Sequence, residues 1–157
     1  MKEIKGEVQD QIRRILEIGV QWMGLQRTFG DVLSVLYIHE CTNREHLSIK
    51  RLSELTRLST STISPICSQL ESLGIIVGQS VAANQTRGRR KTVFSLRMGI
   101  QDLLHLGIRN YMNHVRRILG DIETIKNETG FKESTAHLTL DQVASEITQF
   151  LNESSFN

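Results

Sequence analysis

The sequence predicts a mainly α-helical chain that carries one small β-hairpin. Three observations lead to this fold class. Apolar residues recur every three or four positions towards both ends of the chain, which is the period of a helix packed on one face. Two short helix-like segments in the middle are separated only by Arg57–Ser59. Two β-rich segments, 75–81 and 92–96, then flank a polar stretch that contains Gly88, as expected for a hairpin.

Length and composition fit one globular domain, or one domain with an added oligomerisation element. The 157 residues are 39% hydrophobic and 23% charged, which supports a buried core. The two cysteines give no disulfide framework. No apolar run approaches the ~18 residues of a membrane span, and the charged N-terminal segment has no signal-peptide core. We therefore expect a soluble, cytoplasmic protein with no membrane partner.

Positive charge is concentrated in the middle of the chain. Between Arg44 and Arg97 there are nine basic and three acidic residues, whereas the remainder has ten basic and 14 acidic residues. A basic segment between acidic ends favours contact with a polyanion such as nucleic acid. A solvated basic surface is the alternative interpretation of this pattern.

Two helices are predicted at the N-terminal end. The first runs from about Lys2 to Gln26 on the apolar spacing of its residues. The second runs from about Phe29 to Cys41, and Thr28-Phe-Gly-Asp31 resembles a capping box at its start. The polar segment 41–46 is predicted to be a loop.

The two short helices that follow have clear start and stop signals. Ser48 is the predicted N-cap of the first and Ser59 of the second. Gly74 suits a left-handed C-terminal cap of the second helix. The three residues between the helices give the length of a helix-turn-helix turn, and a hairpin packed after such a unit is a wing.

Pro65 leaves the start of the second short helix open. If the helix starts after Ser59, Pro65 is interior, should kink the helix and costs about 3 kcal/mol. If Thr62 is the true cap, Pro65 lies in the first turn and costs little. The residues themselves do not decide between these alternatives.

Two more helices are predicted at the C-terminal end. A long helix from about Ile100 to Lys126 carries a seven-residue apolar repeat that predicts a partner helix, from this chain or from a second copy. The residues of this repeat are Leu104, Ile108, Tyr111, Val115, Ile118, Ile122 and Ile125. The last helix, from about Leu140 to Asn152, is expected to start at a capping box, Thr139-Leu-Asp-Gln142.

A family resemblance is carried by a lead-in up to Phe29–Leu36 and by four later segments, Leu47–Thr56, Leu58–Ser64, Leu70–Ile76 and Gly88–Phe94. Through these segments the chain from Gly19 to about Leu96 resembles the MarR superfamily of winged-helix transcription regulators, and it is most similar to the GbsR type. Two places depart from the family pattern. Pro65 stands where a basic residue often follows the serine of the recognition helix, and the hairpin tip, Thr86–Lys91, replaces an Asp-x-Arg tip.

The resemblance implies a winged helix-turn-helix with dimerisation helices at both ends. The expected parts are an N-terminal dimerisation helix (1–27), a DNA-binding domain (28–98) and C-terminal dimerisation helices (99–157). The implied function is a homodimeric regulator, a repressor that occludes a promoter by binding a pseudo-palindromic operator in double-stranded DNA. A small-molecule effector is an option that the resemblance supports. The candidate residues to line a pocket for such an effector are Trp22, Met23, Phe29, Tyr37, Tyr111 and Met112.

Two sets of residues are predicted to contact DNA. Small hydroxyl side chains on the second short helix can bond phosphates or base edges. Arginine at the hairpin tip can enter a narrow minor groove. Lys50 and Arg57 are candidates for flanking phosphates. The first set is Thr60, Ser61, Thr62, Ser64, Pro65 and Ser68, and the second is Arg87, Arg89, Arg90 and Lys91.

No enzyme, cofactor or metal site is predicted. Gly19–Gly24 lacks the lysine and hydroxyl residue that end a phosphate-binding loop. His39, Cys41 and His46 match no standard zinc spacing. Cys67 is expected to be a core residue. The alternative function is a winged-helix protein-interaction module in a transcription or chromatin complex, against which the basic hairpin tip argues.

Overall fold

A computed structural model describes residues 6–42, 45–82, 90–128 and 135–154. The fold is mainly helical with one small antiparallel sheet of strand order β1-β3-β2, which confirms the predicted fold class at this level. The elements are α1 (Gly6–Trp22), α2 (Arg27–Thr42), β1 (Leu47–Ser48), α3 (Ile49–Thr56), α4 (Thr60–Ser72), β2 (Ile76–Ala82), β3 (Arg90–Leu96), α5 (Ile100–Lys126) and α6 (Thr135–Glu153).

The chain divides into two compact units, Met1–Gly107 and Ile108–Asn157, so that the division falls inside α5. In the first unit, one buried cluster draws on every helix from α1 to α5 and on the sheet. Its members include Val20, Leu33, Leu52, Leu70, Ile75, Phe94 and Leu103. The predicted domain boundaries at 27/28 and 98/99 remain a prediction. None of the described helices is both long and apolar enough to cross a lipid bilayer.

Glycine ends two helices of the first unit in the same way. At the end of α1, Gly24 has φ +76° and the Leu25 amide donates to the Val20 carbonyl at 3.0 Å. At the end of α4, Gly74 has φ +71° and the Ile75 amide donates to the Leu70 carbonyl at 3.0 Å. This is the Schellman geometry, and it confirms the C-cap predicted at Gly74. It also ends α1 four residues before the predicted end.

The capping boxes predicted for α2 and α6 are both wrong. α2 already begins at Arg27, because the Phe29 amide donates to the Gln26 carbonyl and the turn closes before Thr28 can cap it. α6 begins at Thr135, which places Thr139 inside the helix. His137, in this extra N-terminal turn of α6, contacts Asp141 one turn further on at 2.9 Å, and Asp141 also pairs with Lys126 of α5 at 2.5 Å.

α1 and α2 approach each other at Gly30. A Cβ at this position would lie 2.6 Å from the Glu17 Cα, so only glycine fits. The Glu17 side chain is 8% exposed and pairs with Arg13 at 2.9 Å and with Arg27 at 2.7 Å. Arg13 also pairs with Asp31 of α2 at 2.6 Å. The buried Glu17 carboxylate is therefore compensated, as a buried charge must be.

The N-terminal part of α5 packs on α1 through a pair of glycines, Gly107 and Gly19. A Cβ on Gly107 would lie 2.7 Å from the Gly19 carbonyl oxygen, and a Cβ on Gly19 would lie 3.2 Å from Leu104. Because both contact positions are glycine, the two helix backbones come closer than they could with larger residues, and this contact fixes where α5 crosses α1.

The second unit holds the rest of α5 together with α6. Ile122 and Ala144 are buried there, whereas most of the predicted seven-residue repeat is not. Exposed apolar side chains on these helices are Ile108, Tyr111, Ile118 and Ile125 of α5 and Leu138 and Phe150 of α6. In the first unit, α1 exposes Val8, Ile15 and Ile18 in addition to its packed face.

The two cysteines differ in burial, and Cys67 lies in the core as predicted. Burial, with a smaller effect of Glu71, raises the pKa of Cys67 from 9.0 to about 11. The Cys67 thiol therefore stays protonated longer in the folded state than in the unfolded state. Its contribution to the stability of the folded state is complete below pH 9 and is lost as the pH rises through 11.

We expect iodoacetamide to label exposed Cys41 and to leave Cys67 unmodified in the folded protein near pH 8, because the thiolate is the reactive form. Peptide mass spectrometry measures both sites. Equal labelling of both thiols before unfolding would contradict the assignment, and full labelling in denaturant is the control.

Candidate nucleic-acid interface

α3 and α4 are joined by a short turn that side chains fix from both sides. Ser48 caps α3 by accepting from the Arg51 amide at 3.3 Å, and Ser59 caps α4 by accepting from the Thr62 amide at 3.2 Å. Both N-caps were predicted. The Ser53 hydroxyl donates to the Leu58 carbonyl at 2.5 Å and holds the turn against α3. The turn itself needs Arg57 at φ 62°, a left-handed conformation that costs a non-glycine residue about 1–2 kcal/mol.

The cap at Ser59 decides the position of Pro65. α4 begins at Thr60, so Pro65 lies at the sixth helical position and not in the first turn. Its missing N–H leaves the Ser61 carbonyl without the normal donor four residues on. The alternative in which Thr62 caps the helix is therefore wrong.

All six predicted contact residues of α4 are exposed, while Ile63, Ile66, Cys67 and Leu70 are buried against the rest of the first unit. The side of the helix opposite these four is called the outward face. It consists of Ser61, Ser64, Pro65, Ser68 and Ser72. Thr60 and Thr62 lie at the N-terminal end of α4 beside it. No residue of α4 carries a positive charge, so this helix offers short hydroxyl groups and little bulk.

The hydroxyl groups at the start of α4 are linked to the cap. The Ser59 hydroxyl lies 2.8 Å from those of Ser61 and Thr62. These contacts orient the two side chains at the helix end where free amide groups favour an anion. A phosphate oxygen is the kind of group that the N-terminus of such a helix favours.

The hairpin follows α4 directly and has a regular register. β2 and β3 pair from Ile76–Leu96 to Ala82–Arg90. Lys91 is exposed on β3 opposite Val81. Arg90 begins β3, and its side chain is not described. Arg87 and Arg89 lie outside the described residues, so the predicted tip contacts remain a prediction.

Two carboxylates and one backbone carbonyl fix the base of the hairpin. Glu71 of α4 accepts from the Gly78 amide at 2.9 Å, and Glu40 of α2 accepts from the Leu96 amide at 3.1 Å. The Ile75 carbonyl, at the end of α4, accepts from the Arg97 amide at 2.9 Å. A Cβ on Gly78 would lie 2.9 Å from the Glu71 carboxylate and 3.1 Å from Phe94, so glycine keeps this contact open.

Further basic groups lie on α3 and in the turn that precedes α4. Lys50, Arg51 and Arg57 are exposed on α3 and its turn. Arg51 is paired with Glu54 at 3.0 Å, whereas Lys50 and Arg57 form no ion pair among the described residues. The two candidates for flanking phosphates are thus exposed and uncompensated in this part of the chain.

Sequence reasoning missed two parts of this site. Gln69 is exposed on α4, one turn after Pro65, and glutamine can form paired hydrogen bonds with adenine. Its position four residues after Pro65 is the signal that could have found it. The short strand β1 was also missed, since Leu47 and Ser48 were assigned only to the start of α3, but they pair with Phe94 and Val93.

Two of the candidate effector residues, Phe29 and Tyr37, line different cavities. Phe29 lines a cavity of about 410 Å³ with Gln69 and Pro65 of α4. Tyr37 lines another of about 230 Å³ with Cys41. Burial, with the Cys41 thiol beside it, raises the pKa of Tyr37. In the described part of the chain, no three histidine, cysteine or acidic residues lie close enough to hold a metal ion.

A solved structure named "Crystal Structure of a transcriptional regulator" has a similar fold. The TM-score is 0.52 at 18% sequence identity, and the match covers 92% of this chain and 91% of that chain. No protein-family model matches the sequence, and no curated protein matches it. The comparison shows that the two proteins share a fold over nearly the whole length of both chains.

Proposed function

We propose that this protein is a cytoplasmic, MarR-type regulator of the GbsR-like kind that binds duplex DNA through a winged helix-turn-helix. The observation that carries the proposal is the outward face of α4, which is exposed, small and polar on a helix capped at Ser59. A helix of this kind fits a major groove, which admits an α-helix and presents donors and acceptors. The fold shared with a protein named a transcriptional regulator supports the same role.

The proposed DNA-bound form is a homodimer. Ile118 is 51% exposed and Leu138 is 75% exposed, and each belongs to a helix with a further exposed apolar residue. Large apolar patches of this kind mark interaction surfaces in soluble proteins. The seven-residue spacing on α5 suits a second helix of the same sequence. A second copy therefore accounts for the exposed faces of α1, α5 and α6.

A two-fold dimer predicts the form of the operator. The site should be pseudo-palindromic, with half-site centres about 10 base pairs apart or a multiple of this spacing. The α4 helices of the two copies would enter successive major grooves, and the hairpins would follow the backbone. Binding over a promoter would repress transcription by occlusion.

The alternative is a winged-helix protein-interaction module. The exposed, uncompensated cations at Lys50 and Arg57 favour DNA, because phosphate contacts supply affinity without sequence preference. A module that binds an acidic protein surface would use the same cations, but it would not bind duplex DNA.

Binding across a salt series distinguishes the two functions. We expect wild-type protein to bind duplex DNA with a slope of log affinity against log salt of about −0.9 for each phosphate contact. Replacing Arg87, Arg89, Arg90 and Lys91 by alanine should make the slope shallower and weaken specific and random duplexes alike.

The matched control removes the same charge elsewhere. Alanine at Arg14, Arg109, Arg116 and Arg117, which are all exposed, should change affinity far less. If wild-type protein binds no duplex at low salt, the proposed function fails. If the hairpin variant keeps the wild-type affinity and slope, the hairpin has no part in binding and the protein-interaction module is favoured.

Arg57 provides a separate prediction, because its conformation and its charge can be changed independently. Arg57→Gly relieves the left-handed strain, whereas Arg57→Ala keeps it. The glycine variant should be more stable than the alanine variant by about 1 kcal/mol in denaturant unfolding. Both should lose the same several-fold affinity for DNA. Unchanged affinity in both variants would remove Arg57 from the interface.

A further inference from the structure

The position of Pro65 in α4 has no explanation in the packing of the described residues. An interior proline destabilises a helix relative to alanine, because it removes one backbone hydrogen bond and clashes with the preceding turn. Pro65 is exposed, so its ring does not fill the core beside Ile66 or Cys67. It lines one side of the cavity of about 410 Å³ next to Phe29 and Gln69, and this open cavity leaves the ring exposed.

The chemistry of its neighbours shows what the ring can do. Among the described exposed side chains of α4, Pro65 alone lacks a polar atom. Ser61, Ser64 and Ser68 surround it on the outward face at helical spacing, and all are short. The helix can therefore approach a groove floor closely, with the proline ring as its apolar projection.

In the major groove the apolar group on a base pair is the C5-methyl of thymine. We propose that Pro65 selects thymine at one position of each half-site by packing its ring against this methyl group. The inference rests on the proposed function, and it names a specificity-determining residue within that site. The surrounding serine hydroxyls supply hydrogen bonds that tolerate several bases, so the ring supplies the discrimination that they lack.

The experiment removes either the thymine methyl group from the DNA or the proline ring from the protein. A preferred duplex is selected from random DNA with wild-type protein, and each thymine is then replaced singly by deoxyuridine, which keeps base pairing and loses the methyl. Affinity is measured for wild type, for Pro65→Ser and for Ser64→Ala as the matched variant on the same face. Pro65→Ser should raise helix stability, so any loss of binding does not come from unfolding.

We expect one thymine per half-site at which deoxyuridine weakens wild-type binding about four-fold, the factor that corresponds to burying one methyl group. The same replacement should have no effect on Pro65→Ser and a full effect on Ser64→Ala. Equal uridine effects in wild type and Pro65→Ser, or no sensitive thymine, would overturn the inference and leave the proposed function intact. Failure of wild-type protein to bind duplex DNA would overturn both.

Discussion

Gly30→Ala is expected to destabilise the first unit more than alanine at Gly19, the other glycine of α1 and α2 that packs against a neighbouring helix. The new Cβ would lie 2.6 Å from the Cα and 2.8 Å from the amide nitrogen of Glu17. These are backbone atoms, so the helices must separate. Separation also pulls the Glu17 carboxylate away from Arg27, so that this buried group keeps only Arg13 of its two arginine partners.

Overpacking costs about 1–3 kcal/mol, while alanine gains up to about 1 kcal/mol over glycine in a helix. We expect a net loss of about 2 kcal/mol in the free energy of unfolding, measured by urea titration. The matched control is Gly120→Ala in α5, where nothing lies within 4 Å of the added Cβ. That variant should be as stable as wild type or more stable. A Gly30→Ala protein of wild-type stability would contradict the close approach of α1 and α2.

Ile118→Asp is expected to have the largest effect on DNA binding. Ile118 is 51% exposed in the single chain, so an aspartate there disturbs folding little. In the proposed dimer it would place a carboxylate in an apolar seam, where burial of an unpaired charge costs several kcal/mol. We expect a monomer at micromolar concentration in sedimentation, and loss of binding to a pseudo-palindromic duplex by a factor of 100 or more.

The control for this change is Asn113→Asp, which adds a carboxylate to the same helix away from the seven-residue repeat. Asn113 is exposed and accepts from Arg116 at 3.1 Å, a contact that aspartate keeps. This variant should remain dimeric and bind normally. A folded, monomeric wild-type protein would exclude the homodimer.

The sequence was most informative where local chemistry alone determines structure. Ser48 and Ser59 cap their helices as predicted because a hydroxyl before a helix satisfies a free amide group without tertiary help. Gly74 ends α4 because a left-handed residue is needed there. The bounds of α5 were also predicted correctly, since a long amphipathic period leaves little choice.

Structure that depends on distant partners was not predictable. The capping-box patterns at Thr28 and Thr139 did not set the helix starts, because α2 begins at Arg27 and α6 at Thr135. Strand β1 has only two residues and exists because β3 pairs with it. The sequence gives no indication that Gly30 lies close to Glu17, because a glycine at a helix crossing cannot be distinguished from any other glycine without the packing of the two helices. The six α4 residues remain a predicted contact set, and the structure shows that Gln69 is exposed on the same helix.

The anchoring of the hairpin to α4 has a consequence for how this protein would meet a duplex. Glu71 holds Gly78, and Ile75 holds Arg97, so the helix and the base of the hairpin form one stiff piece of fixed span. A stiff piece cannot adjust its reach to a groove that is too wide or too narrow. Any mismatch must be absorbed by bending or compressing the DNA, at an elastic cost that depends on base sequence. The protein would then rank binding sites partly by how readily they deform, at base pairs that no side chain touches.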